Sequence, residues 1–192
     1  MKDVMRFAFI LTLTAAVTSG SLAYVNSVTR PRITARQNAE MKEALHYVLQ
    51  GSEKGIIESV FQNGEIVFYK GYQKPDKRDL IGYAFVASGQ GYSSEIQTMV
   101  GVNPQGKILR VRILFQQETP GLGTRCEEIR KNESVPWWQR QFQGTDAQSI
   151  KVDKDGGAIE SITGATITSR AITESIALKT KIVLQKTDQK DN

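Results

Sequence analysis

The hydrophobic and polar positions divide the first quarter of the chain into two segments. An uncharged run of 19 residues, Phe7–Val25, comes first. Pro31 is predicted to end this segment, because proline lacks the N–H that an interior helical position donates. From Ile33 to Gln50 apolar residues recur at helical spacing and Gly51 supplies a stop signal, which predicts an amphipathic helix.

The next stretch carries the pattern of β-strands. Runs of β-branched and aromatic residues alternate with polar positions and are separated by turn residues. Asn63-Gly64 lies between two such runs, and this dipeptide is a strong hairpin signal. Asn103–Gly106 separates another two. The predicted strands are 58–62, 65–72, 80–88, 95–102 and 107–115.

Helical and turn signals return in the last third. Residues 124–131 are predicted to form a short helix after the loop formed by Pro120 and two glycines. Residues 149–162 are predicted to form a second hairpin with Asp155–Gly157 at its turn, and Ala171–Gln185 carries an apolar stripe at helical spacing. Helices and antiparallel strands that follow one another in blocks predict an α+β fold.

The N-terminal apolar run has two interpretations that the residues alone leave open. As a helix it is roughly 28 Å long, close to the thickness of a bilayer core. It also resembles a cleaved signal peptide, with Ser21–Ala23 as the cleavage site. Arginines follow the run and Lys2 and Arg6 precede it, so the charges do not define an orientation. Both interpretations export the remainder of the chain.

Composition excludes several classes of function. The formal charge is +5, but the basic residues are scattered and not interleaved with aromatic residues, which argues against a nucleic-acid surface. One cysteine, Cys126, and one histidine, His46, provide neither a metal cluster nor a catalytic triad. Gly89–Tyr92 lacks the third glycine of a dinucleotide fingerprint, and no phosphate-binding P-loop motif occurs.

The segment Glu160–Arg170, "ESITGATITSR", has more hydroxyl groups than a helix start requires. A helix N-terminus presents free N–H groups and a positive dipole end, and Gly164 and Ala165 leave room for a phosphate to approach. Arg170 could add a charge-assisted contact. Ordinary capping by Thr or Ser explains the same pattern. On physical grounds alone, both interpretations stand.

Two motifs resemble those of the FMN-binding domain family. "TGAT" (Thr163–Thr166), followed by "ITSRA", resembles the family's flavinylation motif, with Glu160 where the family usually has Asp. "ETPGLG" (Glu118–Gly123) resembles its second signature. The chain is most similar to the G subunits of Rnf-type electron-transport complexes. The related C subunits of the sodium-translocating NADH:quinone oxidoreductase share both motifs and are an alternative.

The resemblance implies a covalent cofactor and the residues that hold it. Thr166 would carry FMN through a phosphoester, and no catalytic residue or metal is implied. The other cofactor-binding residues implied are Thr163, Gly164, Ala165, Thr168, Glu118, Thr119, Gly121, Leu122 and Gly123, of which the last five would line the flavin ring through backbone groups and one apolar contact. Trp137-Trp138 is interpreted as core packing, with flavin stacking as the alternative.

The resemblance also implies a role and a location. The protein would be an electron carrier in a bacterial or archaeal membrane complex that couples electron transfer between ferredoxin and NAD to ion translocation. Its partners would be polytopic membrane subunits, iron–sulfur subunits and, during maturation, a flavin transferase. A membrane-anchored or secreted flavin-binding sensor or assembly module without redox turnover is a further alternative.

The resemblance implies an organisation in four parts. Residues 1–30 form a retained single-pass membrane anchor with a short cytoplasmic end, and residues 31–60 form an amphipathic linking helix. Residues 61–186 form an extracytoplasmic FMN-binding domain with an antiparallel sheet flanked by helices. Residues 187–192 form a polar tail.

Overall fold

The chain begins with one long helix. A computed structural model of the protein describes residues 1–62 and 64–188, without the side chain of Asp188. Helix α1 spans Lys2–Val48 and contains a stretch of mean hydropathy 1.6, long and apolar enough to cross a membrane. The prediction that Pro31 ends the first segment is wrong, because Pro31 lies inside α1. A proline removes one backbone hydrogen bond and crowds the carbonyl four residues earlier, but a helix can continue through it by bending.

The chain divides into two compact units, residues 1–41 and 42–192. The first unit consists of the N-terminal part of α1. The predicted linking helix, 31–60, is shorter in the structure, because α1 ends at Val48 and residues 56–60 belong to the first strand. Gly51 follows the helix with a φ of 92°, a conformation that favours glycine and explains the stop.

Five strands form one antiparallel sheet, as the sequence predicts. They follow one another in the order β1-β2-β3-β4-β5, so each strand pairs with its neighbour in the chain. Gln62 pairs with Glu65 across the first hairpin, whose predicted turn residue Asn63 lies outside the described residues. The strands are β1 (Ile56–Gln62), β2 (Glu65–Tyr72), β3 (Leu80–Gln90), β4 (Glu95–Val102) and β5 (Ile108–Phe115).

One face of the sheet carries the main hydrophobic core. Alternate residues of β3, β4 and β5 point to this face, including Phe85, Val100 and Val111. Gly89 of β3 approaches the last helix so closely that a Cβ there would come within 2.4 Å of the Ala171 carbonyl oxygen. The core is completed by residues that follow the sheet, including Trp138, Phe142, Ile159, Ile162, Ile172 and Ile176.

The last turn of α1 covers the opposite face of the sheet. Leu49 and Val48 are fully buried there against two glycines of the strands. A Cβ on Gly71 would come within 2.7 Å of Leu49 Cδ1, and one on Gly101 within 2.3 Å of the Val48 carbonyl oxygen. The sheet is therefore packed on both faces within the unit 42–192.

Short helical turns and loops connect β5 to the last helix. A 3₁₀ helix spans Gly123–Glu127, where a short helix over 124–131 is predicted, and α2 spans Trp137–Arg140. The predicted second hairpin over 149–162 is wrong. The segment forms a 3₁₀ helix, Asp153–Asp155, and one isolated parallel bridge between Val152 and Ile159. The Gly157 N–H donates to the Val152 carbonyl, which closes a local loop in place of a strand ladder.

The final helix, α3, spans Thr166–Asp188. Ile172, Ile176 and Val183 are buried as the apolar stripe predicts, whereas Leu178 is 65% exposed. The buried face is completed by hydroxyl residues such as Thr173 and Thr180, which donate to carbonyls one turn earlier in the helix. Residues 189–192 of the predicted tail lie outside the described residues.

Candidate functional site

The two motifs that are distant in sequence meet at one pocket. Its volume is about 610 Å³. The ETPGLG loop forms one wall, the start of α3 forms the other, and Tyr92 from the β3–β4 turn lies at the rim, 71% exposed. The lining residues are Tyr92, Glu118, Thr119, Leu122, Gly123, Gly164, Ala165, Thr166, Ile167 and Thr168.

The ETPGLG loop owes its shape to a tight turn. The Leu122 N–H donates to the Thr119 carbonyl at 3.1 Å, with Pro120 and Gly121 as the central residues. Gly121 has a φ of 76°, as the third position of a type II turn requires. Its N–H donates to Thr124 Oγ1 at 3.0 Å. The turn places Leu122, 43% exposed, in the pocket wall.

The TGAT segment forms a second turn directly before α3. The Ala165 N–H donates to the Ile162 carbonyl at 2.9 Å, and Gly164 has a φ of 78°. A Cβ on Gly164 would come within 3.0 Å of Leu122 Cδ2. The two motifs therefore lie against each other, and a residue larger than glycine would require the Leu122 side chain to shift, in addition to the strain of a positive φ.

Thr166 is the first residue of α3 and lines the pocket. Its side chain is half-buried, and within the described part of the chain its hydroxyl has no hydrogen-bond partner. The first N–H groups of a helix have no acceptor inside the helix, and the dipole makes this end positive. Thr166 therefore combines an available hydroxyl with a backbone environment suited to a phosphate.

The other hydroxyl groups of the segment have different roles. Ser161 Oγ donates to Asp153, and Ser169 Oγ accepts from the Ile162 N–H and donates to the Ala165 carbonyl. Thr168 Oγ1 donates to Glu118 and is buried. Thr163 is exposed and does not line the pocket. The excess of hydroxyls is thus explained mainly by bonds that shape the turn.

Arg170 faces away from this pocket. Its Nε and one terminal nitrogen each donate to the Asp155 carboxylate at 2.7 Å, a bidentate pair. The sequence suggested Arg170 as a phosphate ligand, but the structure gives it this different partner. Within the described residues, no lysine or arginine lines the pocket.

Glu118 lies beneath the pocket with its side chain turned inward, and it is 4% exposed. The N–H groups of Ser93 and Ser94 donate to Oε1 at 2.9 and 3.0 Å. The Tyr92 N–H donates to Oε2 at 3.1 Å, and Thr168 Oγ1 donates to the same oxygen at 2.5 Å. One carboxylate therefore joins the β3–β4 turn, the ETPGLG loop and the first turn of α3.

These hydrogen bonds control the ionisation of Glu118. Burial raises the pKa of its carboxyl, but the bonds from Thr168 and from three backbone N–H groups outweigh burial and hold that pKa below its usual value. The side chain is therefore a carboxylate at neutral pH. This role of Glu118 differs from the predicted contact through its backbone.

The structure brings together most of the predicted binding residues. Gly121 and Thr163 are the two that do not line the pocket, although each belongs to a turn that shapes it. Sequence reasoning missed Tyr92 and Ile167, which line it. Tyr92 directly follows a glycine loop, so the signal that could have found it was a glycine-flanked aromatic residue on a turn.

The paired tryptophans and the cysteine are structural. Trp138 is fully buried, donates from Nε1 to the Glu160 carbonyl at 2.7 Å and packs edge-on against Phe142. Trp137 donates to Glu128, and neither ring lines the pocket. Burial, followed by the charge of Glu127, raises the pKa of the Cys126 thiol to about 12. The interpretation of the two tryptophans as core packing agrees with the structure.

Comparisons with known proteins match both parts of the chain. Residues 91–178 match the FMN-binding domain, and residues 1–48 match the RnfG N-terminal region. The G subunit of the ion-translocating oxidoreductase complex of Shewanella piezotolerans is 31% identical over 193 residues, covering 93% of this chain and 89% of that protein. The corresponding protein of Escherichia coli K12 is 27% identical over 183 residues, covering 92% and 89%.

A comparison with solved structures matches Shewanella oneidensis NqrC. It has 20% sequence identity and a TM-score of 0.46, over 62% of this chain and 60% of that chain. The full-length relatives and the N-terminal match carry the assignment. The chain belongs to the family of the G subunits of ion-translocating oxidoreductase complexes, and residues 91–178 contain its FMN-binding domain.

Proposed function

We propose that this protein is an electron-relay component of an Rnf-type membrane complex and carries FMN as a phosphoester of Thr166. In this complex, electron transfer between ferredoxin and NAD drives ion translocation. The observation that carries the proposal is the pocket where the two motifs meet, with the hydroxyl of Thr166, unpaired among the described residues, at the start of α3. A bound FMN supplies one- and two-electron redox chemistry.

The residues present fit a flavin nucleotide. The pocket volume of about 610 Å³ lies within the roughly 300–1,000 Å³ of small-molecule sites. Leu122, Ile167 and Tyr92 give it apolar surface for a ring system, and the start of α3 offers N–H groups to a phosphate. No cation lines the pocket within the described residues, so a covalent bond supplies retention that an ionic clamp would otherwise give.

The chain offers little machinery for substrate turnover at this pocket. Thr168 donates to Glu118, and the Glu118 carboxylate also accepts from three backbone N–H groups, so neither is free to act as an acid or a base. The lining residues bind and orient the flavin and leave part of it exposed at the rim formed by Tyr92 and Leu122. This arrangement suits a carrier that exchanges electrons with partners.

The proposal includes the location and the partners of the protein. Residues 1–30 are a retained single-pass anchor, and the FMN-binding domain lies on the extracytoplasmic side of the membrane. The partners are polytopic membrane subunits and iron–sulfur subunits, together with a flavin transferase that attaches the cofactor. A tethered cofactor is an advantage outside the cytoplasm, where a dissociated flavin would be lost by dilution.

The decisive experiment replaces the hydroxyl of Thr166. Thr166→Val keeps the branched shape but removes the oxygen, so it should abolish covalent flavin when the full chain is produced with a flavin transferase. The measurements are the intact mass, which should lose an FMN-sized addition, and flavin fluorescence on a denaturing gel.

Thr163→Val is the matched control, since Thr163 is exposed, belongs to the same turn and does not line the pocket. It should retain the full addition on the peptide that contains Thr166. Wild-type fluorescence in the Thr166→Val protein would refute attachment at this residue.

A further inference from the structure

The Glu118 side chain joins the three segments that build the pocket, and none of the comparisons assigns it a role. Its two oxygens accept four hydrogen bonds of 3.1 Å or less, three from backbone N–H groups and one from Thr168. The surrounding backbone is shaped to it: a Cβ on Gly91 would come within 2.6 Å of Oε1, and one on Gly123 within 2.6 Å of the Glu118 Cβ. The carboxylate is therefore built into the site.

The charge of this carboxylate is positioned to act on the pocket. Glu118 lines the pocket wall while being only 4% exposed. Within the described residues, no lysine or arginine lines the pocket to balance this charge. Hydrogen-bond donors stabilise the charge in place without removing it.

We propose that Glu118 is a positioning residue of the FMN site that acts electrostatically: its carboxylate holds Tyr92 and the first turn of α3 in place and puts a fixed negative charge in the pocket wall that lowers the reduction potential of the bound flavin. This inference rests on the proposed function. Reduction adds electrons to the bound group, and a nearby negative charge opposes that addition.

Two substitutions should move the potential in opposite directions. Glu118→Gln removes the charge at nearly constant volume, so the midpoint potential should become more positive. Thr168→Val removes one hydrogen-bond donor and keeps the charge, so the carboxylate is less well compensated and the midpoint potential should become more negative. A purely structural disturbance of the pocket would give no reason for the midpoint potential to shift in opposite directions in the two variants.

The measurement is a redox titration of the full-length protein in detergent at about pH 8, where carboxylates are ionised. Covalent flavin is first verified by intact mass for each variant. Glu127→Gln is the matched control, because Glu127 is an exposed carboxylate of the adjoining 3₁₀ helix that bonds Gln116 and does not line the pocket. Its midpoint potential should equal that of the wild type.

An unchanged potential in a fully flavinylated Glu118→Gln protein would overturn the electrostatic role, as would shifts of the same sign in both variants. If Glu118→Gln carries no flavin, the midpoint potential of Thr168→Val provides the test. A more negative potential supports the electrostatic role, and an unchanged or more positive one overturns it. Failure of the proposed function is seen separately, as a wild-type protein without the FMN-sized addition.

The positioning role is tested without flavin. In the flavin-free Thr166→Val protein, adding Glu118→Gln should make the Tyr92, Ser93 and Ser94 amides exchange hydrogen roughly tenfold faster or more, because each loses a charge-assisted acceptor. Unchanged exchange at all three amides would overturn the positioning role.

Discussion

At the level of single residues, the site depends on the absence of side chains as much as on their presence. Gly121 and Gly164 adopt positive φ angles in the two turns, so other residues there would be strained. Gly123 is different, because its backbone conformation is open to other residues but the neighbouring atoms leave no space for a side chain. A Cβ at Gly123 would come within 2.6 Å of the Glu118 Cβ and 2.9 Å of Thr168 Oγ1.

Gly123→Ala should therefore force apart the pair that holds the pocket together. We expect a loss of about 1–3 kcal/mol in unfolding free energy, as for other overpacked interior sites. Covalent flavin should also decrease, because Thr168 is two residues from Thr166. The measurements are the thermal midpoint and the intact mass of the full-length protein.

Gly144→Ala provides the comparison for Gly123→Ala. Gly144 has a φ of 79° with open space around its Cβ position, so only backbone strain follows there. It should lower stability without affecting flavin content. Full flavin attachment and unchanged stability in Gly123→Ala would show that the loop can move to accept a methyl group.

At the level of elements, the C-terminal end of α1 belongs to the globular unit. Ala44, Leu45, Val48 and Leu49 are all buried, and Gly71 and Gly101 leave space for them on the sheet. Helix α1 thus contributes one layer of a domain whose other layer is α3. A boundary drawn at residue 61, as expected from sequence, would remove this layer and cut β1.

Truncation at two positions tests this assignment. Residues 42–192 should fold as an isolated soluble domain with a thermal midpoint near that of the corresponding unfolding step in the full chain. Residues 51–192 should be strongly destabilised, since burial of each large apolar side chain contributes on the order of 1.5–3 kcal/mol. Thermal unfolding followed by circular dichroism measures both, and equal midpoints would show that the α1 turn contributes nothing to the sheet.

For the molecule as a whole, function depends on which side of the membrane the domain occupies. The segment Lys2–Val48 has the length and apolarity to span a bilayer, but arginines after the apolar run and Lys2 and Arg6 before it leave the orientation open on charge alone. The proposed relay needs a retained anchor and an extracytoplasmic domain.

Fusions to the C-terminus test this topology. Alkaline phosphatase, which is active only outside the cytoplasm, should be active when fused to the full chain, and green fluorescent protein should be dark when exported through the general secretory route. The intact mass of the membrane-bound protein should include residues 1–23. A fluorescent fusion, or a mass that lacks this segment, would contradict the proposed arrangement.

The residue pattern along the chain was sufficient to predict most of the local structure. Alternating apolar positions and two turn signals predicted the strands and their antiparallel order, because neighbours in the chain pair through short turns. The pattern also predicted a loop at Pro120 and a hydroxyl-rich helix start, but the two motifs were identified as cofactor-binding only by their resemblance to the FMN-binding domain family. The prediction of a second hairpin was wrong because Gly156 and Gly157 close a local loop. Local propensity does not distinguish such a loop from a hairpin turn.

Packing between distant elements selects the groups that act together, and no local pattern predicts it. Glu118 and Thr168 are 50 residues apart, and their bond depends on how α3 packs on the sheet. The same packing turns Arg170 toward Asp155 and leaves the Thr166 hydroxyl in the pocket. The spacing of apolar residues along the chain indicates whether a segment is a helix or a strand. The rotation of a helix about its axis and the partner of a buried charge depend instead on contacts between elements.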